Sequence, residues 1–349
     1  MSTHDLEATA KALVAPGKGI LAADESAPTI KKRFDSIPLE STEDNRRDYR
    51  QMLFTTQGAA QHISGVILFD ETLRQSARDG KRLVDVLTGQ NILPGIKVDT
   101  GAKELAGARG EKVTEGLDGL RERLAEYAEF GARFAKWRAV ITIGDGLPSA
   151  YCLEANAHAL ARYAKLCQEA GLVPIVEPEV LMDGGHSIAR SEEVTRHALQ
   201  LVYEQLFRQR VELEGTLLKP NMVLSGYAAA SQASVADVAA ATLRTFHRHV
   251  PAAVPGIVFL SGGQADERAT AHLNEMNKGG GNEHPWQLSF SYGRALQAPA
   301  IKAWGGKHEA AGQAAYLHRA RCNGAARSGA YSAAMESGAA RGDALVSQD

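Results

Sequence analysis

Three lysines stand inside short apolar runs, where a charged side chain is unusual. Lys97 lies in PGIKVD, Lys136 in FAKWRAVITI and Lys219 in GTLLKPNMV. Burial and neighbouring cations both favour the neutral form of an amine. A neutral amine attacks a carbonyl carbon and forms a Schiff base, so these runs predict imine chemistry. Lys219 is the strongest candidate nucleophile, because it interrupts a strongly apolar run and precedes Pro220.

Other charged residues recur in these runs with the period of a β-strand. Glu177 and Glu179 are two apart in one run, and Asp24 and Ser26 are two apart in another. Arg138 shares a strand face with the second of the three lysines, because residues two apart point to the same side. A buried charge is costly unless it is paired. We therefore expect these faces to converge on one site rather than to form scattered structural ion pairs, with the glutamates supplying proton transfers.

Glycine-rich turns follow the last two apolar runs. Ser261, Gly262 and Gly263 end one of them, and Gly293 and Arg294 end the other. Backbone N–H groups at the start of a helix bind anions, and an arginine can bind two oxygens of one phosphate. The turns predict a phosphate site. The chain has no GxxxxGK[ST] and no strand-linked GxGxxG, the motifs that would indicate a nucleotide fold.

The arrangement of elements predicts how these side chains are positioned. Eight apolar runs alternate with amphipathic segments, which include residues 148–171, 191–215 and 234–249. This alternation predicts repeated strand–helix units, and a closed (β/α)8 (TIM) barrel is favoured over an open doubly wound sheet. Enzymes with this fold carry their chemistry at the carboxyl ends of the strands. The eight runs are residues 19–24, 63–70, 94–99, 134–143, 172–181, 215–223, 256–263 and 286–293.

Length, charge and cysteine content limit the remaining function classes. We expect residues 1–349 to form a single barrel domain that ends, from about residue 307, in a helix and a mobile tail. The 39 basic and 41 acidic residues balance, so nucleic acid is not an expected partner. Three dispersed cysteines predict neither disulfides nor a metal knuckle, and the 11 histidines include no HExxH motif. With no signal peptide or apolar membrane span expected, we predict a cytoplasmic protein.

Several of these stretches together resemble one known family. GILAADES, GIKVD, AKWR, PIVEPE, GTLLKPNM, FLSGGQ and FSYGRALQ are similar to class I fructose-bisphosphate aldolases, and the resemblance runs from about residue 5 to residue 325. It implies reversible cleavage of fructose 1,6-bisphosphate into dihydroxyacetone phosphate and glyceraldehyde 3-phosphate, in glycolysis and gluconeogenesis. It also implies a metal-independent enzyme without a cofactor, sugar phosphates as its small-molecule partners, and a homotetramer.

The resemblance also implies a role for each matching residue. Lys219 matches the Schiff-base lysine, Glu177 the acid/base, and Asp24 the base that takes the C4 hydroxyl proton. Lys136 matches a lysine that stabilises substrate charge, and Glu179 a supporting carboxylate. The remaining matches are to substrate contacts: Lys97 and Arg138 in the pocket, Ser261, Gly262, Gly263 and Arg294 at the C1 phosphate, and Ser26, Lys32 and Arg33 near the C6 phosphate.

Two alternatives remain open at this stage. One is another Schiff-base sugar-phosphate enzyme with a (β/α)8 barrel, such as a transaldolase-like enzyme. The other is a non-catalytic scaffold that binds cytoskeletal proteins. The sequence does not decide between fructose 1,6-bisphosphate and fructose 1-phosphate as the preferred substrate. Animal members of the family end in a tyrosine, whereas the last tyrosine here is Tyr331 in a chain that finishes DALVSQD.

Overall fold

A computed structural model describes residues 3–279 and 284–338. Eight parallel strands close into a barrel in chain order, and the last strand pairs with the first. All eight predicted strands are confirmed, with ends that differ by a few residues; the sixth shrinks to two residues. They are β1 Gly19–Ala23, β2 Ile63–Leu68, β3 Leu93–Lys97, β4 Phe134–Ile141, β5 Val173–Val180, β6 Leu217–Leu218, β7 Gly256–Phe259 and β8 Gln287–Tyr292.

Helices surround the barrel, and the amphipathic segments predicted from the sequence are among them. Among the described residues, three short 3-10 helices lie at Ala59–Gln61, Leu213–Gly215 and Ala333–Gly338. The α-helices are α1 Thr3–Leu13, α2 Ala27–Phe34, α3 Glu43–Phe54, α4 Asp70–Arg74, α5 Leu83–Thr88, α6 Leu120–Glu129, α7 Ala150–Glu169, α8 Ile188–Arg208, α9 Val235–His249, α10 Asp266–Met276, α11 Arg294–Trp304 and α12 Glu309–Ala326. Within the described ranges, every helix is too short or too polar to cross a membrane.

The barrel interior is filled by side chains at its amino-terminal end. Phe134 packs against Gly95, where a Cβ would collide with its ring, and a Cβ on Gly65 would lie 2.7 Å from Leu13 and 3.1 Å from the same ring. Helix α1 closes this end, and its Leu6 and Leu13 belong to the same apolar cluster as Phe134. A filled floor leaves the opposite end of the barrel as the open mouth, where polar side chains can collect.

The segment after α12 is fastened to this closed end of the barrel. The buried Arg327 guanidinium donates hydrogen bonds to the carbonyl oxygens of Val14 (3.1 Å), Lys18 (2.7 Å) and Leu288 (3.1 Å). The predicted helix beyond residue 307 is confirmed as α12. The mobile tail predicted after it falls mostly on residues 339–349, which lie outside the described residues.

The sequence pattern did not predict a polar hairpin that the structure contains. Gly101–Glu104 and Lys112–Glu115 form an antiparallel hairpin between β3 and α6. Its sequence, GAKELAGARGEKVTE, is largely polar and lacks the alternation that marks a half-buried strand. The hairpin lies outside the barrel and contributes no strand to it.

Candidate active site at the barrel mouth

Seven of the eight strands bring side chains to one cavity of about 540 Å³ at their carboxyl ends. Residues of β4 and β5, and residues just after β1, β6, β7 and β8, line it together with the last residue of β3. All predicted site residues except Lys32 border the cavity. They are Asp24, Ser26, Arg33, Lys97, Lys136, Arg138, Glu177, Glu179, Lys219, Ser261, Gly262, Gly263 and Arg294.

Lys219 lies at the base of this cavity, directly after β6. Its backbone N–H donates to the carbonyl oxygen of Val176 (2.8 Å), which continues the pairing of β6 with β5 and fixes the origin of the side chain. The side chain is only 5% exposed, and Nζ lies 3.4 Å from Glu177 Oε1. The amine is therefore withdrawn from solvent but open to the cavity, with a carboxylate beside it.

Lys136 connects two carboxylates of the same cavity. Its Nζ lies 2.6 Å from Asp24 Oδ2 and 3.6 Å from Glu177 Oε2. Burial disfavours the charge on Lys136, but the attraction of Asp24 and Glu177 is stronger than this effect. The pKa of Lys136 is therefore raised above the usual value of a lysine. Burial likewise opposes the charge on Asp24, but Lys136 and Lys219 together lower the pKa of Asp24 well below its usual value. Lys136 and Asp24 are consequently both ionised at neutral pH.

Glu177 lies between the two lysines. The register of the barrel places its Cα beside that of Arg138, and the side chain is almost completely buried. Its Oε2 accepts no hydrogen bond from any described residue. A buried carboxylate oxygen without a hydrogen-bond donor is costly, and the charge of Lys136 Nζ, 3.6 Å away, offsets part of that cost.

Two further ion pairs form the wall next to the catalytic candidates. Lys97 Nζ donates to Asp99 Oδ1 (2.6 Å), and the backbone N–H of Arg138 donates to Asp99 Oδ2 (3.2 Å). The Arg138 guanidinium pairs with Glu179. Burial disfavours the charge of Arg138, but the attraction of Glu179 is stronger than this effect and raises the pKa of Arg138. Both cations are thereby held in place at the cavity wall.

The turn after β7 is shaped for close contact with an anion. Gly262 and Gly263 have φ values of +59° and +98°, which only glycine adopts readily. A Cβ on Gly263 would lie 2.5 Å from Arg294 Nη2, so the second glycine also lets this guanidinium rest against the backbone. Tyr227 OH donates to the Gly262 carbonyl oxygen (3.0 Å) and holds the turn. Arg294 is the first residue of α11.

Helix α2 contributes one of its two predicted basic contacts and not the other. Arg33 faces the cavity, whereas its neighbour Lys32 is exposed and does not line it. Successive residues of a helix are about 100° apart, so both cannot point to the same cavity. The structure therefore does not bring Lys32 to the cavity, and its contact with substrate stays a prediction. Ser26, the residue preceding the helix, borders the cavity.

Glu25, which sequence reasoning did not select, holds Arg33 in position. Its carboxylate lies 2.8 Å from Arg33 Nη1 and 3.2 Å from Arg50 Nη2. It also accepts a hydrogen bond of 2.8 Å from Gln297 Nε2. Asp183, Tyr227 and Ser291 are other polar residues that line the cavity and were missed in the sequence. The signal for Glu25 was its place directly after Asp24; the others lie in loops or at a strand end without a distinctive spacing.

Comparisons with known proteins agree with this geometry. A family model described as "Fructose-bisphosphate aldolase class-I" matches residues 5–349. A probable fructose-bisphosphate aldolase class 1 of Xanthomonas axonopodis is 56% identical over 335 residues, covering 95% of this chain and 99% of that protein. Cytosolic fructose-bisphosphate aldolase 4 of Arabidopsis thaliana is 53% identical over 349 residues, which cover 99% of this chain and 88% of that protein. The structure also superposes on a fructose-bisphosphate aldolase of Plasmodium falciparum, solved with TRAP and an inhibitor, with a TM-score of 0.93 at 50% identity. The match covers 94% of this chain and 95% of that chain.

Fold and site together define a (β/α)8-barrel enzyme whose centre is a buried lysine among carboxylates. The chain belongs to the class I fructose-bisphosphate aldolase family. It is a class I aldolase, and formation of a Schiff base with the substrate is a general property of that class.

Proposed function

We propose that this enzyme cleaves fructose 1,6-bisphosphate through an imine on Lys219. The observation that carries the proposal is the buried Lys219 Nζ, 3.4 Å from Glu177 Oε1 at the base of the cavity. The amine attacks the C2 carbonyl of the open-chain ketose and forms a carbinolamine. Glu177 donates a proton to the C2 hydroxyl, which leaves as water, and the product is an iminium ion.

The iminium ion then accepts the electron pair of the C3–C4 bond. The ionised Asp24 removes the proton of the C4 hydroxyl, the bond breaks, and glyceraldehyde 3-phosphate leaves while an enamine remains on Lys219. Lys136 keeps Asp24 ionised, since Lys136 Nζ and Asp24 Oδ2 are 2.6 Å apart. Glu177, which regains a proton from solvent after the dehydration step, protonates the enamine at C3. Hydrolysis of the resulting imine then releases dihydroxyacetone phosphate.

The remaining predicted residues orient the substrate. The Ser261–Gly263 turn with Arg294 would bind the C1 phosphate, and Ser26 and Arg33 the C6 phosphate. Lys97 and Arg138 would contact the sugar hydroxyls, with Glu179 holding Arg138 by its ion pair. Two phosphates carry a large negative charge, and basic groups at the cavity wall offset it. Lys32 is left out because it faces solvent.

A cleavage assay tests this function and separates it from the transaldolase-like alternative. Purified enzyme with fructose 1,6-bisphosphate alone should release both triose phosphates, and a chelator should leave the rate unchanged. Lys219→Met should retain binding of the substrate but lose cleavage. Activity that requires an added acceptor sugar, or full cleavage by Lys219→Met, would contradict the proposal. Binding to cytoskeletal protein without any cleavage would favour the scaffold alternative.

We also propose that the enzyme acts in the cytoplasm as a homotetramer of single-domain subunits. The first part rests on the Arabidopsis relative, which is named cytosolic. The second rests on the family resemblance and is compatible with the exposed Phe207, 83% accessible on α8. Light scattering coupled to size-exclusion chromatography measures the mass directly; a mass four times the chain's 37.3 kDa is expected, and a monomer would refute the assembly.

A further inference from the structure

Three potential metal ligands of different chemical type meet on the outside of the barrel. His318 and Cys322 are four residues apart on α12, and Glu336 approaches them from the 3-10 helix Ala333–Gly338. Residues four apart on a helix share a face, so His318 and Cys322 point to the same place. Their ligand atoms and a Glu336 oxygen all lie within 4.8 Å of one another, the one such trio in residues 3–279 and 284–338.

The spacing of these atoms matches a tetrahedral metal centre. His318 Nε2 lies 3.1 Å from Glu336 Oε2 and 3.7 Å from Cys322 Sγ. Zinc with ordinary bond lengths of about 2.0 Å to nitrogen, 2.1 Å to oxygen and 2.3 Å to sulfur separates the nitrogen from the oxygen by about 3.3 Å and from the sulfur by about 3.5 Å. The observed separations differ from these by a few tenths of an ångström. A single proton on Nε2 can be donated to only one of the two neighbours, whereas a metal ion bonds all three.

Partners behind the carboxylate already orient it. Tyr331 OH donates to Glu336 Oε1 (2.8 Å), and Arg319 Nη1 lies 2.7 Å from both Glu336 oxygens. Carboxylates that bind metals are held in this way by hydrogen bonds from outside the coordination sphere. Glu336 and the Cys322 thiolate together carry two negative charges, which offset those of a divalent ion; Arg319 beside Glu336 leaves the site with one net positive charge.

We propose that His318, Cys322 and Glu336 bind one Zn²⁺ ion, at a site separate from the barrel mouth. None of the three borders the active-site cavity. A thiolate with an imidazole selects zinc over magnesium or calcium, which prefer oxygen ligands. On binding, the thiol of Cys322 releases its proton to solvent and a Zn–S bond forms. Three protein ligands leave the fourth tetrahedral position to a water molecule.

The ion would fasten the segment after α12 to the rest of the protein. The ion would join Ala333–Gly338 to α12. Helix α12 is itself bound to the start of α10, because Arg319 Nη2 donates a hydrogen bond to the Asp266 carbonyl oxygen (3.2 Å). Tyr331 adds a backbone hydrogen bond to Asn274 Oδ1 (2.9 Å) in the same helix. Zinc should therefore stabilise the folded chain, because it binds the assembled trio and not the separated residues.

Metal titration of the full-length enzyme tests the site. After treatment with a chelator, isothermal titration with Zn²⁺ should give one equivalent bound per chain and a raised melting temperature. His318→Gln, Cys322→Ser and Glu336→Gln should each weaken binding by at least about tenfold, and Tyr331→Phe by up to about tenfold. Cys167→Ser is the matched control, because that buried cysteine lies away from the trio and should leave zinc binding unchanged.

Co²⁺ supplies a second readout that does not depend on stability. The Co²⁺-loaded protein should show a thiolate charge-transfer absorption that disappears in Cys322→Ser and persists in Cys167→Ser. If Cys322→Ser does not fold, His318→Gln decides, since its side chain is 22% exposed and its loss leaves the core intact. Zinc binding that is equal in wild type and His318→Gln, or absent in the wild type, would overturn the site. Cleavage of fructose 1,6-bisphosphate should be unaffected throughout, so the two proposals fail independently.

Discussion

Replacement of Lys136 by methionine probes the charge balance of the active site. The change removes the cation 2.6 Å from Asp24 and 3.6 Å from Glu177 and keeps most of the side-chain volume. At an effective dielectric constant of about 20, unit charges at these separations attract by about 6 and 5 kcal/mol. Desolvation of the buried groups opposes this attraction, and breaking a buried pair costs about 3–5 kcal/mol. We therefore expect the free energy of unfolding of Lys136→Met to be about 3–5 kcal/mol lower than that of the wild type at neutral pH.

The pH dependence of this loss has a definite sign. The folded pKa of Asp24 is lowered, so its contribution is complete above its unfolded pKa of about 4 and is lost as the pH falls towards the folded value. The folded pKa of Lys136 is raised, so its contribution is complete below its unfolded pKa of about 10.4 and is lost at higher pH. The difference between wild type and Lys136→Met should therefore be largest between about pH 5 and 9.

Urea denaturation followed by circular dichroism across this pH range measures the effect. Lys31→Met is the matched control, because Lys31 pairs with Asp35 at 2.9 Å but on the surface, with side chains 65% and 56% exposed. Lys31→Met should lower the free energy of unfolding by less than about 1 kcal/mol. The turnover number of Lys136→Met should also fall by about 10²–10⁴-fold. A loss of stability as small as that of Lys31→Met, or one independent of pH below 5, would refute the reasoning.

Three other predictions concern the proposed chemistry and the phosphate contacts. Glu177→Gln should lower kcat by about 10²–10⁴-fold, measured by coupled triose phosphate release; unchanged kcat would rule out Glu177 as the acid/base. Arg33→Ala should raise KM for fructose 1,6-bisphosphate, whereas Lys32→Ala should not, because only the first faces the cavity; equal effects would remove the distinction. Gly263→Ala should raise KM at least as much, since a Cβ would lie 2.5 Å from Arg294 Nη2, and an unchanged KM would contradict the assigned phosphate turn.

Much of the barrel could be predicted because its strands are apolar, short and bounded by glycine or proline. The same feature explains the prediction of the site: Lys136 and Glu177 are conspicuous only because their neighbours are apolar. The sixth strand was predicted too long, since Lys219 and the residues after it leave regular pairing as they enter the mouth. The polar hairpin at residues 101–115 gave no periodic signal and was missed.

Side-chain direction was harder to predict than element type. Lys32 and Arg33 have the same charge and adjacent positions, and the sequence contains nothing that says which of them faces the cavity. Helix α2 decides this by burying Ile30 and Phe34, which fixes its rotation. Glu25 was missed for a related reason: its partner Arg50 comes from α3, and a contact between such distant residues depends on tertiary packing.

Borohydride trapping tests the central claim most directly. The enzyme is mixed with dihydroxyacetone phosphate, the imine is reduced to a stable secondary amine, and the adduct is located by peptide mass mapping. One adduct per chain is expected, on the peptide that contains Lys219, and none in Lys219→Met. An adduct on Lys97 or Lys136 in the wild type, or no adduct at all, would contradict the assignment of Lys219 as the nucleophile.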